Sequence, residues 1–215
     1  MGKQIKGLIF DLDGVLVFTD HYHYLAWKQL ADELQIPFDE TVNNRLRGVS
    51  RMQSLEIILE AYHGSPLSQE DKERLAEKKN EIYRGYLSQM TPNDIAQEVR
   101  ETLAELRRRG YRLAIGSSSK NAAFILERVQ IADMFDARSD GNNITHSKPD
   151  PEVFLKAAEM LGLAPEECAV VEDAKAGIDA ARDGGMLAVA IGNATAYERA
   201  QIRLSAFSDL LREFL

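Results

Sequence analysis

Short runs of apolar residues alternate with helical patterns along most of the chain. The runs predict buried strands at 7–9, 112–116, 169–171 and 187–191, because a strand covered on both faces needs apolar side chains throughout. Apolar residues at helical spacing between the runs predict helices at 99–109, from 121 onward, at 151–161 and around 178. This alternation indicates an α/β fold with a Rossmann-like parallel sheet core.

A block of helical pattern without strands separates the first predicted strand from the second. Its apolar residues recur at helical spacing, as in Trp27, Leu30, Ala31 and Leu34. Turn residues at 37, 64–66 and 90–92 mark its internal turns and its end. The pattern predicts a helical cap domain at 18–89, inserted into a core domain formed by 1–17 and 90–215. The tail at 207–214 predicts a last packing helix, whereas 193–205 has no apolar run typical of a strand.

The composition restricts the classes of protein to which the chain can belong. A net charge of −8 and a sequence pI near 5.1 argue against a nucleic-acid partner. No apolar stretch is long enough to span a membrane, and no apolar signal region precedes the first strand. We therefore expect a cytoplasmic monomer with no membrane partner. The single cysteine, Cys168, is expected to be a small buried residue.

The first predicted strand ends in two carboxylates. Asp11 and Asp13 are followed by Gly14, which allows the backbone to turn sharply. Side chains at the carboxyl ends of parallel strands point to the edge at which α/β sheets bind ligands. Two neighbouring carboxylates repel each other unless a cation or a proton lies between them. An Asp-Gly turn with a capping aspartate would explain the same residues without any chemistry.

Three later segments add groups that suit a phosphate and a metal ion. Ser117 to Asn121 form a hydroxyl-rich turn after the second predicted strand, which could bind an anion or cap a helix. Lys148 precedes prolines that hold an extended turn, and the alternative for it is a solvated lysine. Glu172 and Asp173 follow the third predicted strand and offer the oxygen ligands that Mg²⁺ prefers.

In this order, the four segments resemble the motifs of the haloacid dehalogenase-like superfamily of phosphotransferases, over nearly the whole chain. The resemblance implies that Asp11 is the nucleophile that becomes an aspartyl-phosphate and that Asp13 is the general acid and base. It implies that Ser117 and Lys148 hold the transferring phosphoryl group. It also implies Mg²⁺ as the cofactor, bound by Asp11, the backbone carbonyl of Asp13 and Asp173, with Glu172 close by. Independently, a carboxylate that attacks a phosphate anion needs a cation and a lysine to offset the repulsion.

The cap and the serine-rich turn are similar to those of superfamily members that interconvert β-glucose 1-phosphate and glucose 6-phosphate. This resemblance implies that Thr19, His23 and Lys79 couple closure of the cap to the positioning of Asp13. It assigns the binding of a small sugar phosphate to nine residues: Trp27, Gly48, Arg51, Ser54, Lys79, Ser118, Ser119, Lys120 and Asn121. Transfer between two positions of a sugar needs a second anion site, which Arg51 and Lys120 can supply.

Simpler structural roles account for several of the cap residues. His23 and Trp27 could be packed inside the cap, and Lys79 could be an ordinary solvated lysine. Arg51 is harder to explain in this way, because a glycine-marked loop suits contact with a ligand. Phe18 stands where similar proteins usually have aspartate, so we expect the hinge of the cap to open differently.

Three functions are open to a chain with these residues. An isomerase that acts by phosphoryl transfer is favoured. A hydrolase of small phosphate esters, such as phosphoglycolate or a sugar phosphate, would use the same residues under a less selective cap. A non-catalytic module that binds sugar phosphates is disfavoured, because every position with a chemical role is present.

Overall fold

The computed structural model describes residues 4–46 and 50–215. The chain divides into two compact units, Met1–Phe18 with Met90–Leu215 and Thr19–Gln89. The division falls after Phe18, so this residue belongs to the first unit and not, as predicted, to the helical cap. Within the described residues, no helix combines the length and the apolar composition that crossing a membrane requires.

The first unit contains a parallel sheet with β1 at its centre. The strands are β1 Gly7–Phe10, β2 Arg112–Gly116, β3 Ala137–Ser139, β4 Cys168–Glu172, β5 Leu187–Ala190 and β6 Ile202–Arg203. Their order across the sheet is β3-β2-β1-β4-β5-β6, and every pair is parallel. Phe10 of β1 lies opposite Ile115 of β2 and Val171 of β4. The strand order reverses at β1, which is where α/β sheets place their ligands.

The helices of the described chain fall into two groups. The second unit contains α1 Asp20–Glu33, α2 Glu40–Asn44, α3 Arg51–Leu59 and α4 Gln69–Leu87. The first unit contains α5 Gln97–Arg108, α6 Ala122–Arg128, α7 Glu152–Leu161, α8 Lys175–Asp183 and α9 Leu210–Glu213. The predicted α/β fold with an inserted helical block is therefore confirmed.

Buried apolar side chains hold each unit together. In the first unit, Val170 of β4 packs in one cluster with Phe154 of α7 and Ile178 of α8. Cys168 belongs to the same cluster, and its burial raises the pKa of the thiol to about 11. In the second unit, α1 packs on α4, and a separate cluster includes Trp27. The expected role of Cys168 as a small core residue is confirmed.

Two short strands were not predicted from the sequence. β3 has three residues, and its sequence Ala-Arg-Ser contains no apolar run. β6 has two residues and lies within 193–205, where no strand was expected, so that expectation is wrong. Both are edge strands of the sheet: β3 pairs with β2, and β6 pairs with β5. Hydrogen bonding to these neighbours forms the strands, and local sequence carries little of that information.

Candidate active site

The turn after β1 brings Asp11 to the carboxyl edge of the sheet. The backbone N–H of Asp11 donates to the carbonyl of Val171, 3.0 Å away, so the side chain leaves β1 next to the end of β4. Gly14 follows with a φ of +85°, in the left-handed region that favours glycine. A Cβ at Gly14 would collide with the carboxylate of Asp173. Glycine at this position therefore lets the acids of two strands approach each other.

Lys148 lies between two carboxylates at this edge. Its Nζ donates to Asp11 Oδ1 at 2.5 Å and to Glu172 Oε1 at 2.6 Å, and it lies 4.6 Å from the ring centroid of Phe154. Burial alone would lower the pKa of Lys148, but the two carboxylates outweigh burial and raise it. The lysine is therefore a buried ammonium, and the alternative of a solvated lysine is wrong.

Glu172 is the most deeply buried acid of the site, with 1% of its side chain exposed. Burial raises its pKa, although contact with Lys148 acts in the opposite direction. Its Oε2 accepts a hydrogen bond from the backbone N–H of Ala174 at 2.8 Å. A Cβ at Gly177 would collide with the same carboxylate, so a glycine in α8 makes room for it. Both oxygens of Glu172 thus already have partners.

Three carboxylates at the site could hold a metal ion. One oxygen from each of Asp11, Glu172 and Asp173 lies within 4.8 Å of the other two. All three come from the ends of β1 and β4, and the sequence predicted that each of these strands is followed by acids. That the two strands are neighbours is a finding of the structure. A group of carboxylate oxygens suits Mg²⁺, which is bound through oxygen. The donor set therefore fits the predicted metal.

The serine-rich turn after β2 uses its hydroxyls to hold its own backbone. Ser117 Oγ accepts from the N–H of Ser119, and Ser119 Oγ accepts from the N–H of Asn121, each at 3.2 Å. Ser117 and Asn121 are buried, whereas Ser118 and Lys120 are exposed. Because α6 begins only at Ala122, without a side-chain cap from Asn121, the hydroxyls stabilise the turn and do not cap the helix.

In the second unit, the side chain of Lys79 lies among the rings of His23, Trp27 and Tyr83, which we call the ring box. Only 2% of this residue is exposed, so the alternative of a solvated lysine is wrong here too. Its Nζ lies 2.8 Å from His23 Nδ1, 4.7 Å from the ring centroid of Trp27 and 4.6 Å from that of Tyr83. An ammonium over an aromatic face is attracted by the electrons of the ring. Two other predicted cap residues, His23 and Trp27, therefore lie around this cation.

His23 is held as a neutral ring. Removal from water lowers its pKa well below the usual 6.5, and the charges of Lys79 and Arg51 lower it further. A neutral imidazole accepts a hydrogen bond at one nitrogen and donates at the other. Since the ammonium of Lys79 can only donate, Nδ1 of His23 is the acceptor and Nε2 carries the proton.

Tyr83 is the member of this cluster that the sequence did not reveal. Its ring stacks on His23 with centroids 4.0 Å apart, and its hydroxyl lies 2.9 Å from Thr19 Oγ1. Tyr83 therefore connects Thr19 with His23 and Lys79. The available signal was its position on α4, four residues after Lys79, where helical neighbours meet.

Arg51 is the first residue of α3 and not part of a loop. Its Nη2 donates to Asn80 Oδ1 at 2.9 Å, and its Nη1 lies 3.4 Å from Glu77 Oε2. Burial lowers its pKa, against the opposite effect of Glu77. The buried Ser54 lies on the same helix, and Gly48 lies outside the described residues.

The chain matches known proteins over almost its full length. Residues 5–185 match the model of the family described as haloacid dehalogenase-like hydrolase. A β-phosphoglucomutase of Bacillus subtilis is 41% identical over 98% of this chain and 94% of its own length. A crystal structure of β-phosphoglucomutase from Clostridium difficile superposes with a TM-score of 0.89, at 36% identity, over 98% of this chain and 96% of that one. A phosphorylated carbohydrates phosphatase of Thermotoga maritima is 30% identical over 85% of this chain and 82% of its own length.

Proposed function

Because the chain belongs to the haloacid dehalogenase-like hydrolase family, we propose that it is a β-phosphoglucomutase. This isomerase interconverts β-D-glucose 1-phosphate and D-glucose 6-phosphate through an aspartyl-phosphate and glucose 1,6-bisphosphate. The observation that supports the proposal most is the contact of Lys148 with Asp11 and Glu172. The similarity of the chain to enzymes of this type supports the same reaction.

Asp11 is the nucleophile in this proposal. Its carboxylate oxygen forms a bond to phosphorus while the bond between phosphorus and the sugar oxygen breaks. Lys148, whose ammonium already contacts Asp11, offsets the repulsion between the carboxylate and the phosphate. Ser117, buried beside the end of β2, helps to hold the transferring group.

Asp13 carries the proton. It protonates the leaving sugar oxygen in one half of the reaction and accepts the proton of the attacking sugar hydroxyl in the other. Thr19, His23 and Lys79 couple closure of the cap to this step, so the general base reaches the aspartyl-phosphate only when a sugar phosphate is bound. Transfer to water is then slow, because no base activates it.

The acids at the ends of β1 and β4 fit Mg²⁺, on which enzymes of this family generally depend. Asp11, Asp173 and the backbone carbonyl of Asp13 would bind the ion directly. Glu172 would stand behind them, because its oxygens contact Lys148 and the N–H of Ala174. Bound Mg²⁺ would neutralise part of the negative charge of the transferring phosphoryl group.

A second anion site binds the phosphate that is not being transferred. We assign it to Arg51 and to Ser119, Lys120 and Asn121, with Trp27, Ser54 and Ser118 among the residues that bind the sugar phosphate. The guanidinium of Arg51 is held in position by Asn80, which supports this assignment. The parallel N–H donors of a planar guanidinium can bind two oxygens of a phosphate.

A phosphatase that acts on small phosphate esters is the second candidate function. The similarity to the phosphorylated carbohydrates phosphatase of Thermotoga maritima favours it specifically. The two functions share the nucleophile and differ in whether a sugar hydroxyl or water accepts the phosphoryl group.

Phosphorus NMR separates the two functions. The chain is mixed with β-glucose 1-phosphate, Mg²⁺ and a trace of glucose 1,6-bisphosphate. A mutase converts the substrate to glucose 6-phosphate with little inorganic phosphate, whereas accumulation of inorganic phosphate alone identifies a phosphatase. The Asp11→Asn variant serves as the control for contaminating activity.

Substitution of Arg51 tests the second anion site. A charge-assisted contact to phosphate contributes about 1.5–3 kcal/mol, so Arg51→Ala should lower kcat/KM of the mutase reaction at least about tenfold. Hydrolysis of p-nitrophenyl phosphate, which has no second phosphate, should change much less. Arg45→Ala is the matched control, since Arg45 pairs with Glu60 in the same unit. An equal loss of both activities would contradict the assignment.

A further inference from the structure

The turn that follows β3 packs against the backbone of the serine-rich loop. The N–H of Gly141 donates to the carbonyl of Ser119 at 3.2 Å. The side-chain Nδ2 of Asn142 donates to the carbonyl of Lys120 at 3.0 Å. Two successive peptide groups of the loop are thus held by two successive residues of the turn.

Hydrogen bonds within the turn hold its conformation. The carboxylate of Asp140, which is buried, accepts from the backbone N–H of Asn142, from its Nδ2 and from Arg138 Nε, each at 2.9 Å. The side chain of Asn143 accepts from the N–H of Asp140 at 2.9 Å. These bonds lie within the turn, so they hold the Asn142 amide in one direction independently of its contact with the loop.

Gly141 is required for space. A Cβ at this position would collide with the backbone oxygen of Ser118 and would lie 2.9 Å from the backbone nitrogen of Lys120. Both are main-chain atoms, so a larger residue cannot be accommodated by rotating a side chain. Any substitution must move the loop away from the turn.

The planarity of the peptide bond makes these contacts relevant to anion binding. In a trans peptide the C=O of one residue and the N–H of the next lie in one plane and point in opposite directions. Holding the carbonyl of Ser119 therefore orients the N–H of Lys120. Holding the carbonyl of Lys120 orients the N–H of Asn121, which donates to Ser119 Oγ and so holds this hydroxyl in place. The N–H of Lys120 and the hydroxyl of Ser119 belong to the loop that we assign to the second phosphate.

We propose that Gly141 and Asn142 are positioning residues, which orient the backbone N–H of Lys120 and the hydroxyl of Ser119 toward the phosphate that is not being transferred. Neither residue touches the substrate. The inference rests on the proposed function, because it presumes that this loop binds a phosphate of the sugar.

Kinetics with two substrates test the inference. Asn142→Ala removes the neutral hydrogen bond to the carbonyl of Lys120, together with the bond of the same amide to Asp140 inside the turn. Loss of the bond to the loop should raise KM for β-glucose 1-phosphate about two- to tenfold with a smaller change in kcat. Hydrolysis of p-nitrophenyl phosphate should not change. Gly141→Ala should raise the same KM further. Gly85→Ala is the matched control, because nothing lies within 4 Å of the added methyl group. An equal loss with both substrates, or unchanged kinetics in both variants, overturns the inference.

Amide NMR separates this inference from the proposed function. Addition of inorganic phosphate to the wild-type chain should shift the amide signal of Lys120, and Asn142→Ala should weaken that binding about two- to tenfold. A wild-type chain that does not isomerise β-glucose 1-phosphate refutes the mutase function alone. Equal phosphate binding by the wild type and Asn142→Ala refutes the positioning role, whatever the reaction is.

Discussion

Each of the two units buries a lysine, but the surroundings of the two ammonium groups differ. Lys148 contacts the carboxylates of Asp11 and Glu172, whereas Lys79 contacts the rings of Trp27 and Tyr83 and a neutral nitrogen of His23. The first lysine balances the charges of two carboxylates, one of which belongs to the proposed nucleophile. The second is fixed in direction by flat rings, which suits a residue that transmits a conformational change. In the proposed function, burial of the same side chain thus has a chemical use in one unit and a mechanical use in the other.

Loss of the proposed nucleophile, which Lys148 contacts, should have the largest effect on turnover. Asp11→Asn replaces a carboxylate by an amide, which is a far weaker nucleophile toward phosphorus, so turnover should fall below detection. Phosphorus NMR measures turnover, and hydroxylamine-sensitive phosphate on the protein measures the aspartyl-phosphate. Acyl phosphate on the variant would show that another carboxylate is the nucleophile.

Lys148→Met should reduce both turnover and stability. Loss of a preorganised cation at the reacting phosphate lowers kcat about 10²–10³-fold. Without the ammonium, two buried carboxylates face each other, so the free energy of unfolding should fall by about 3–5 kcal/mol at neutral pH. Urea unfolding in the presence of a chelator measures this loss without metal binding. Unchanged stability would mean that the carboxylates are protonated or solvated in the wild type.

Lys79→Met should affect activity while leaving stability nearly unchanged. Methionine removes the desolvation cost of a buried ammonium and also its attraction to the rings, which is about 2 kcal/mol. These effects oppose each other, so the free energy of unfolding should stay within about 1 kcal/mol of the wild type. We expect mutase kcat/KM to fall about tenfold, because an orienting contact near 1.4 kcal/mol is lost. A stability loss as large as that of Lys148→Met would remove the distinction between the two lysines.

His23 should cause a small pH dependence of stability. Its pKa is lowered in the folded state, so only the unfolded chain takes up the proton as pH falls below the unfolded value near 6.5. Its contribution is therefore constant at higher pH and decreases stability below 6.5, by at most about 1.4 kcal/mol per pH unit. Urea midpoints at pH 7.5 and 5.5 should fall more in the wild type than in His23→Gln. Parallel pH profiles would show that the ring is protonated in the folded protein.

The sequence predicted the fold, and it predicted that acids follow two of the strands, because both features leave local patterns. The strands before Asp11 and Asp173 are buried on both faces and read as continuous apolar runs. Lys148 is followed by Pro149 and Pro151, whose restricted backbone predicts an extended turn that gives the lysine a defined position. The distances among these residues are not local, since they depend on β1 lying between β2 and β4.

The ring box and the supporting turn could be predicted only in part. His23, Trp27 and Lys79 were identified by resemblance, but Tyr83 has the same spacing as an ordinary packing residue. Asp140 to Asn142 form a common turn sequence, which indicates the bend and not what the bend contacts. A side chain that acts on the backbone of a distant loop leaves no pattern in its own neighbourhood.

The central place of β1 also determines when the protein becomes active during folding. Gly7 pairs with Arg112 on one side and with Cys168 on the other, so both ladders of the first strand close long loops. Contacts of such large sequence separation form late, whereas the helices of 19–89 depend on nearer residues. Asp11, Lys148 and Glu172 meet only when both ladders are complete. Recovery of phosphoryl transfer in a refolding chain would therefore follow the closure of the sheet, well after most helical signal has returned.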